Sequence, residues 1–160
     1  LMTYTIREIE SKDNKIIETI IRNALIEYGG NHEGTAWADP DLGRFSEIYG
    51  TTGKRYWVAE DEQGRVVGGT GIGPLPGAEG VCELQKMYCI PEARGTGISH
   101  QLMNVALEYA KKHYKQCYLE TLDNMVSAQR FYEKFGFHRT DVSPVTTEHF
   151  ACDVKYIKDL

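Results

Sequence analysis

Apolar positions change their spacing several times along the chain, and each change marks an element. In "TYTIREI" (3–9) apolar and polar residues alternate, the period of a half-buried strand. Beyond it Ile16, Ile17, Ile20, Ile21, Ala24, Leu25 and Tyr28 recur on one helical face, with Ser11 or Asp13 able to cap the start. "GGNHEGTAWADPDLG" has no period and reads as a connection, followed by a shorter helix from about Pro40 to Gly50. "KRYWVAEDEQGRVVGGTGIG" predicts a hairpin, 56–60 against 65–72, turning at "DEQG". After the break at "PLPGAEG" come a strand over 81–90 and a helix over 97–112 with Ile98, Leu102, Val105, Ala106 and Tyr109 inward. A strand over 116–121 follows, then a short helix with Asn124 as its cap and Gly136 past its end. "FHRTDV" and "HFACDVKYI" close the chain as strands.

Only one stretch of this order, strand 82–90, helix 97–112, strand 116–121, has the form of a parallel unit. A right-handed crossover lays its two strands side by side. The remaining connections are hairpin-like, so the expected fold is α/β (α+β): a mixed, mostly antiparallel sheet with one parallel pair and helices on both faces. The chain has 160 residues, 41% of them hydrophobic, and is expected to form a single domain over 1–160.

Charge and cysteine content narrow the classes of partner. A formal charge of -5 with scattered lysines argues against nucleic acid and mildly favours a cationic or amine partner. Cys82, Cys89, Cys117 and Cys152 form no C-x-x-C pair and read as reduced thiols of a cytoplasmic protein. There is no apolar run long enough to span a membrane and no signal-peptide pattern, and Leu1 ahead of Met2 reads as a remnant of cloning. His32, His100, His113, His138 and His149 show no metal-ligand spacing, so no metal is expected.

The stretch "PEARGTGISHQLM" (91–103) concentrates the candidate chemistry. A helix N-terminus leaves backbone N–H groups unpaired at the positive end of the helix dipole, and an anion satisfies both. Gly95 and Gly97 remove side chains from the approach, Arg94 brings a cation, and Thr96 and Ser99 bring hydroxyls. The outline is that of a phosphate cradle. It is neither a Walker loop nor a dinucleotide fingerprint, since His100 stands where the latter needs glycine. The second glycine cluster, "GGTGIG" (68–73), fits neither spacing and marks a bulge or backbone crowding within a strand.

Two blocks, "ELQKMYCIPEARGTGISHQLM" and "YLETLDNMVSAQRFYEKFGF", together resemble the acyl-CoA-dependent GNAT N-acyltransferase superfamily. Its pyrophosphate signature is Gln or Arg, two residues, Gly, one residue, then Gly or Ala. Here it stands as Arg94, Gly95, Thr96, Gly97, Ile98 and Ser99, the serine being a small departure that still donates a hydrogen bond. The match covers about residues 82–137, roughly a third of the chain. It implies a GNAT fold whose parallel strands splay apart. The pantetheine arm of acetyl-CoA would fill the wedge along the backbone of Met87, Tyr88 and Cys89, with contacts from Asn124 and Ser127.

The resemblance further implies transfer of acetyl from acetyl-CoA to a primary amine by direct attack in a ternary complex. Tyr132 stands where the family places its general acid, and either Glu83 or Glu120 stands where members place a base. The oxyanion donor is a backbone N–H near Cys89, whose thiol has no activating histidine and reads as packing. Acceptor recognition falls to "YGGNHEGTAWADPD" and "SPVTTEHF", with Asn31, His32, Glu33, Trp37, Asp39 and Glu148 as lining candidates and Tyr56 and Trp57 as lining or core. Paired subunits are common in the superfamily. The rival reading is a non-catalytic acyl-CoA-binding sensor, in which the carboxylates and Tyr132 do nothing chemical.

Overall fold

A computed structural model describes residues 2–144, 151 and 153–160. Leu1, Glu148, His149 and Cys152, with most of the expected "SPVTTEHF" loop, lie outside the described residues. The strands are β1 (Thr5–Glu8), β2 (Arg55–Glu60), β3 (Val66–Pro74), β4 (Val81–Cys89), β5 (Gln116–Thr121), β6 (His138–Thr140) and β7 (Val154–Asp159). The α-helices are α1 (Asn14–Glu27), α2 (Phe45–Ile48), α3 (Ile98–His113) and α4 (Val126–Lys134). One seven-stranded sheet runs in the order β1-β2-β3-β4-β5-β7-β6, and only β4 and β5 pair in parallel. None of the described helices is long and apolar enough to cross a membrane.

Helices cover both faces because the strand residues alternate between two cores. On β2, Tyr56 and Val58 pack with Ile17, Ile21 and Leu25 of α1. Trp57, between them in sequence, faces Met103 and Leu107 of α3. The α3 stripe is centred one position further round than Val105 and Tyr109 suggested: Met103, Leu107 and Ala110 are buried, while Val105 and Tyr109 are only partly covered. Tyr109 has another task, since its hydroxyl accepts the Gly53 N–H at 2.7 Å.

Three local expectations are corrected. Asp13 does not cap α1 with its side chain; its carboxylate accepts the Glu10 N–H at 2.8 Å and two bonds from Arg7 at 2.7 and 2.9 Å. Ser11 sits in a single 3-10 turn ahead of the helix, and Ile16 is solvent-exposed. The helix expected from Pro40 to Gly50 is regular only over Phe45–Ile48, and its N-cap, Arg44, forms no side-chain cap bond.

The glycines of β3 allow an aromatic ring to lie against the strand. A Cβ on Gly69 would fall 2.6 Å from Cε1 of Tyr56 and 2.8 Å from the Trp57 carbonyl oxygen; one on Gly71 would fall 2.7 Å from Cδ2 of Tyr56. Tyr56 so placed donates its hydroxyl to the Lys86 carbonyl at 2.8 Å. At that point β4 carries an irregularity: Gly69 pairs with Tyr88 but Gly71 with Gln85, and Lys86 adopts φ of 52°. The irregularity resets the alternation, so that Leu84 and Met87 share the α3-side core while Tyr88 joins the α1 side. Both readings of "GGTGIG", crowding and a bulge, therefore hold together. Gly69→Ala is expected to destabilise the fold by about 1–3 kcal/mol, because a ring and a carbonyl must both move; chemical denaturation of the two proteins measures it.

Candidate active site

The parallel pair stops early. β4 and β5 are in register only at Val81 with Gln116, Cys82 with Cys117 and Glu83 with Tyr118, after which β5 continues with β7 as its partner and β4 with β3. From Leu84 onward the β5-facing edge of β4 has no ladder, so the backbone groups there are left for another acceptor or donor. Two cavities open at the fork. The larger, about 790 Å³, is bounded by Met87–Cys89 of β4, the turn before α3 and the inner side of α4. The smaller, about 60 Å³, lies between α1, the loop after it, and the strand ends. Met87, Tyr88, Met125 and Tyr132 line both.

The turn builds an anion cradle from its backbone. Gly95 and Gly97 take φ of 73° and 93°, left-handed values that glycine adopts without strain. Among the described residues, the N–H groups of Gly95, Gly97, Ile98, Ser99 and His100 donate to no protein acceptor, whereas those of Arg94 and Thr96 turn back to Pro91 and Ala93. Gly95, Gly97, Ile98 and Ser99 line the large cavity as expected. Thr96 departs from expectation: its hydroxyl pairs with the Tyr4 hydroxyl at 2.6 Å and donates to the Ala93 carbonyl, so it braces the turn. Arg94 lines the cavity, but its guanidinium is held by both carboxylate oxygens of Glu27 at 2.7 Å and lies over the Tyr28 ring. That pairing holds the Glu27 carboxyl below the usual range.

On the opposite wall Ser127 lines the cavity, while Asn124 does not cap α4. The N-cap of that helix is Met125, without a side-chain bond, and the Asn124 amide instead donates to the Tyr28 carbonyl at 2.7 Å. The end of α1 is thereby tied to both walls, by Glu27 to Arg94 and by Tyr28 to Asn124. Tyr132 is 8% exposed, and burial pushes its phenol up to about 12. No described residue is hydrogen-bonded to its hydroxyl. Burial also raises the Cys89 thiol, outweighing the opposing pull of Arg94, so the sulfur beside the cavity stays protonated near neutrality.

Both candidate carboxylates reach the small cavity. Glu83 accepts from the Gln85 amide at 2.8 Å, and the other end of that amide accepts the buried Tyr49 hydroxyl at 2.6 Å. Glu120 accepts the Tyr118 hydroxyl at 2.8 Å, and burial with that carboxylate beside it raises the Tyr118 phenol. The loop after α1 contributes Thr35 and Ala36, which sequence reasoning passed over. The neighbours it favoured, Asn31, His32, Glu33, Trp37 and Asp39, do not line the cavity; Asp39 pairs with Lys86 at 2.8 Å, and Lys86 does line it. Tyr56 and Trp57 are core. The signal for Thr35 was its type and place: it accepts the Trp37 N–H and donates to Gly30, closing the loop against α1.

Charge separates the two spaces. The large cavity is lined by Arg94 and Lys134, with His100, and by no carboxylate of the described residues, in a chain of net charge -5; the small one carries Glu83 and Glu120 together with Lys86, which is paired with Asp39. Tyr132 is among the residues that line both.

Comparison with known proteins agrees with this architecture. Residues 18–137 match the acetyltransferase (GNAT) family. The chain is 41% identical over 157 residues to the uncharacterized N-acetyltransferase YjgM of Escherichia coli, covering 96% of this chain and 93% of that protein. A GNAT-family acetyltransferase from Staphylococcus aureus superposes with a TM-score of 0.85 at 21% identity, over 98% of this chain and 99% of that one. A phosphinothricin acetyltransferase from Sinorhizobium meliloti, solved in complex with AcCoA, superposes with a TM-score of 0.77 at 21% identity, over 99% and 89% of the two chains. With the fold, the family match and the full-length relative in agreement, the chain belongs to the GNAT family and is an acyl-CoA-dependent N-acetyltransferase.

Proposed function

We propose that this chain transfers the acetyl group of acetyl-CoA to a primary amine by direct attack. The observation that carries the reading is the junction of two oppositely charged cavities at a buried tyrosine. The large cavity fits the cosubstrate. Unpaired N–H groups of Gly95, Gly97, Ile98, Ser99 and His100 suit a diphosphate, and the open edge of β4 at Met87–Cys89 suits an amide-bearing arm. Acetyl-CoA supplies an activated acyl carbon at the inner end of that arm.

The protein's residues then divide the proton work. An acceptor enters the small cavity as an ammonium drawn by Glu83 and Glu120. One carboxylate takes its proton, directly or through water, which exposes the nitrogen lone pair. A backbone N–H near Cys89 donates to the carbonyl oxygen as charge gathers there. Tyr132 gives its phenolic proton to the departing sulfur and is reprotonated from the new amide nitrogen's surplus proton. The net result is amide, free thiol and one proton released. A protonated Cys89 takes no part, so no acyl-enzyme forms.

The test is thiol release from acetyl-CoA in the presence of a panel of polyamines, amino acids, aminoglycosides and peptide N-termini. At least one is expected to give thiol and acetylated product in equal amounts. Failure of every amine, with acetyl-CoA bound, would overturn the acceptor class.

Glu27 gives a second expectation. Its carboxylate neutralises Arg94 beside the cradle, so Glu27→Gln is expected to tighten acetyl-CoA binding about threefold to fivefold at low salt, and less at high salt. Calorimetric titration at two ionic strengths measures both.

A further inference from the structure

Behind Glu83 a line of hydrogen bonds runs deeper into the protein than the transfer chemistry uses. Tyr49, just past the end of α2, is buried, with its ring 5.3 Å from those of Phe45 and Tyr56. Its hydroxyl donates to Gln85 Oε1 at 2.6 Å, and Gln85 Nε2 donates to Glu83 Oε1 at 2.8 Å. Gln85 and Glu83 both line the small cavity, whereas Tyr49 does not.

Charge sets the direction of these bonds. An ionised carboxylate only accepts, so it takes the nitrogen of the amide and leaves the amide oxygen for the phenol. Burial, with the charges of Glu83 and Asp39 nearby, pushes the Tyr49 phenol up, so it keeps the proton it gives to that oxygen. Tyr49 thus holds the amide in the one orientation that favours an ionised Glu83.

β3 makes room for the amide. Gly73 opposes Glu83, and Gly71 opposes Gln85, across the antiparallel pair. A Cβ on Gly73 would fall 2.9 Å from Gln85 Oε1, 3.2 Å from its Nε2 and 3.3 Å from its Cδ, and these are the nearest atoms it would meet. One on Gly71 would fall 3.1 Å from Cε1 of Tyr49. Gly73 is not among the glycines with left-handed backbone, so conformation does not demand glycine there; the amide lying over the strand does.

We propose that Tyr49 and Gln85 are positioning residues of the acceptor site: Tyr49 fixes the amide of Gln85, and Gln85 fixes Glu83 as a charged, oriented group for capture of the amine. The assignment rests on the reading of Glu83 as a group that draws the amine. It adds the residues through which the fold sets that carboxylate, and a task for Gly73.

Steady-state thiol release tests it in Gln85→Met, Tyr49→Phe and Gly73→Ala, each with and without Glu83→Gln. The substrates are acetyl-CoA and the amine of the panel above that the wild type turns over fastest. Gln85→Met is expected to raise KM for the amine about fivefold, and Tyr49→Phe and Gly73→Ala about threefold, with kcat kept within about twofold. Gln85→Met strands the Tyr49 hydroxyl and is the variant most exposed to misfolding. Gly73→Ala displaces only the end of a flexible side chain, and is expected to fold as the wild type does. In the Glu83→Gln background all three substitutions are expected to leave KM within about 1.5-fold, because the carboxylate they position is gone. An unchanged KM in the single variants, or an equal rise in both backgrounds, overturns the assignment. An unchanged KM in Glu83→Gln alone, or no turnover of any panel amine by the wild type, would instead overturn the reading of the acceptor site beneath it.

Discussion

Tyr132→Phe is expected to lower kcat about 100-fold to 1000-fold while changing acetyl-CoA affinity by no more than a few fold. The substitution removes one oxygen from a side chain whose ring contacts are retained, since Tyr132 packs against Phe137 and Tyr156 with centroids 6.1 Å away in both cases. The hydroxyl lost belongs to a residue that lines both cavities, and no described residue is hydrogen-bonded to it. Because burial pushes that phenol up to about 12, the acid stays protonated across the working range. Wild-type kcat/KM should therefore rise with pH as the amine loses its proton, with no descending limb from Tyr132 below about pH 10. Undiminished turnover in the phenylalanine variant would leave Tyr132 as packing and require the thiolate to depart without help.

The two glutamates are expected to give different signatures. Glu83 sits at the last paired position of the fork, level with Tyr118, whereas Glu120 lies two residues further along β5, beyond the paired stretch. Two residues of strand are about 7 Å along the direction in which β4 runs on to Met87, and on the proposed reading that makes Glu120 the base nearer the acyl carbon. Glu120→Gln is expected to lower kcat/KM about 100-fold at pH 7, with the deficit shrinking toward pH 10, where an alkyl amine is increasingly neutral without help. Glu83→Gln should mainly raise KM for the amine, about tenfold, through loss of one attractive charge, and the deficit should persist with pH until the amine itself is neutral. The reverse pattern would hand the proton to Glu83. Both deficits fade as the amine becomes neutral, so kcat and KM resolved separately across pH for both variants distinguish the two assignments.

The features legible in the sequence are those whose cause is local. Gly95 and Gly97 must take left-handed backbone for the turn to present its N–H groups, and glycine spacing alone announces that. The fork was legible by a different route, since a strand-helix-strand unit has one handedness and the two motif blocks carry the family resemblance. What stayed hidden depends on partners far away in sequence. Nothing near Arg94 says that Glu27, 67 residues earlier, will hold it, and nothing near Asn124 says that its amide N–H will donate to the Tyr28 carbonyl while its oxygen leaves the N–H groups of α4 uncapped. The partner of the Thr96 hydroxyl was hidden for the same reason, because Tyr4 arrives from β1's side of the sheet. The helix expected from about Pro40 is regular only over Phe45–Ile48 although Leu42, Phe45 and Tyr49 are all buried, because Arg44 at its start leaves helical backbone at φ of -133° and ψ of 25°. Thr35 and Ala36 escaped notice because small residues beside Trp, His and Asp look like spacers until the loop folds over the fork.

The missing ladder beyond Glu83 places a raw hydrogen-bonding edge in the middle of a sheet rather than at its rim. Rim edges invite stray chains to pair, but here the cavity along the edge is walled by Ala24 of α1 and by Ser127, Ala128 and Phe131 of α4. On the proposed reading, a narrow amide-bearing tether reaches such an inset edge more easily than a neighbouring polypeptide does.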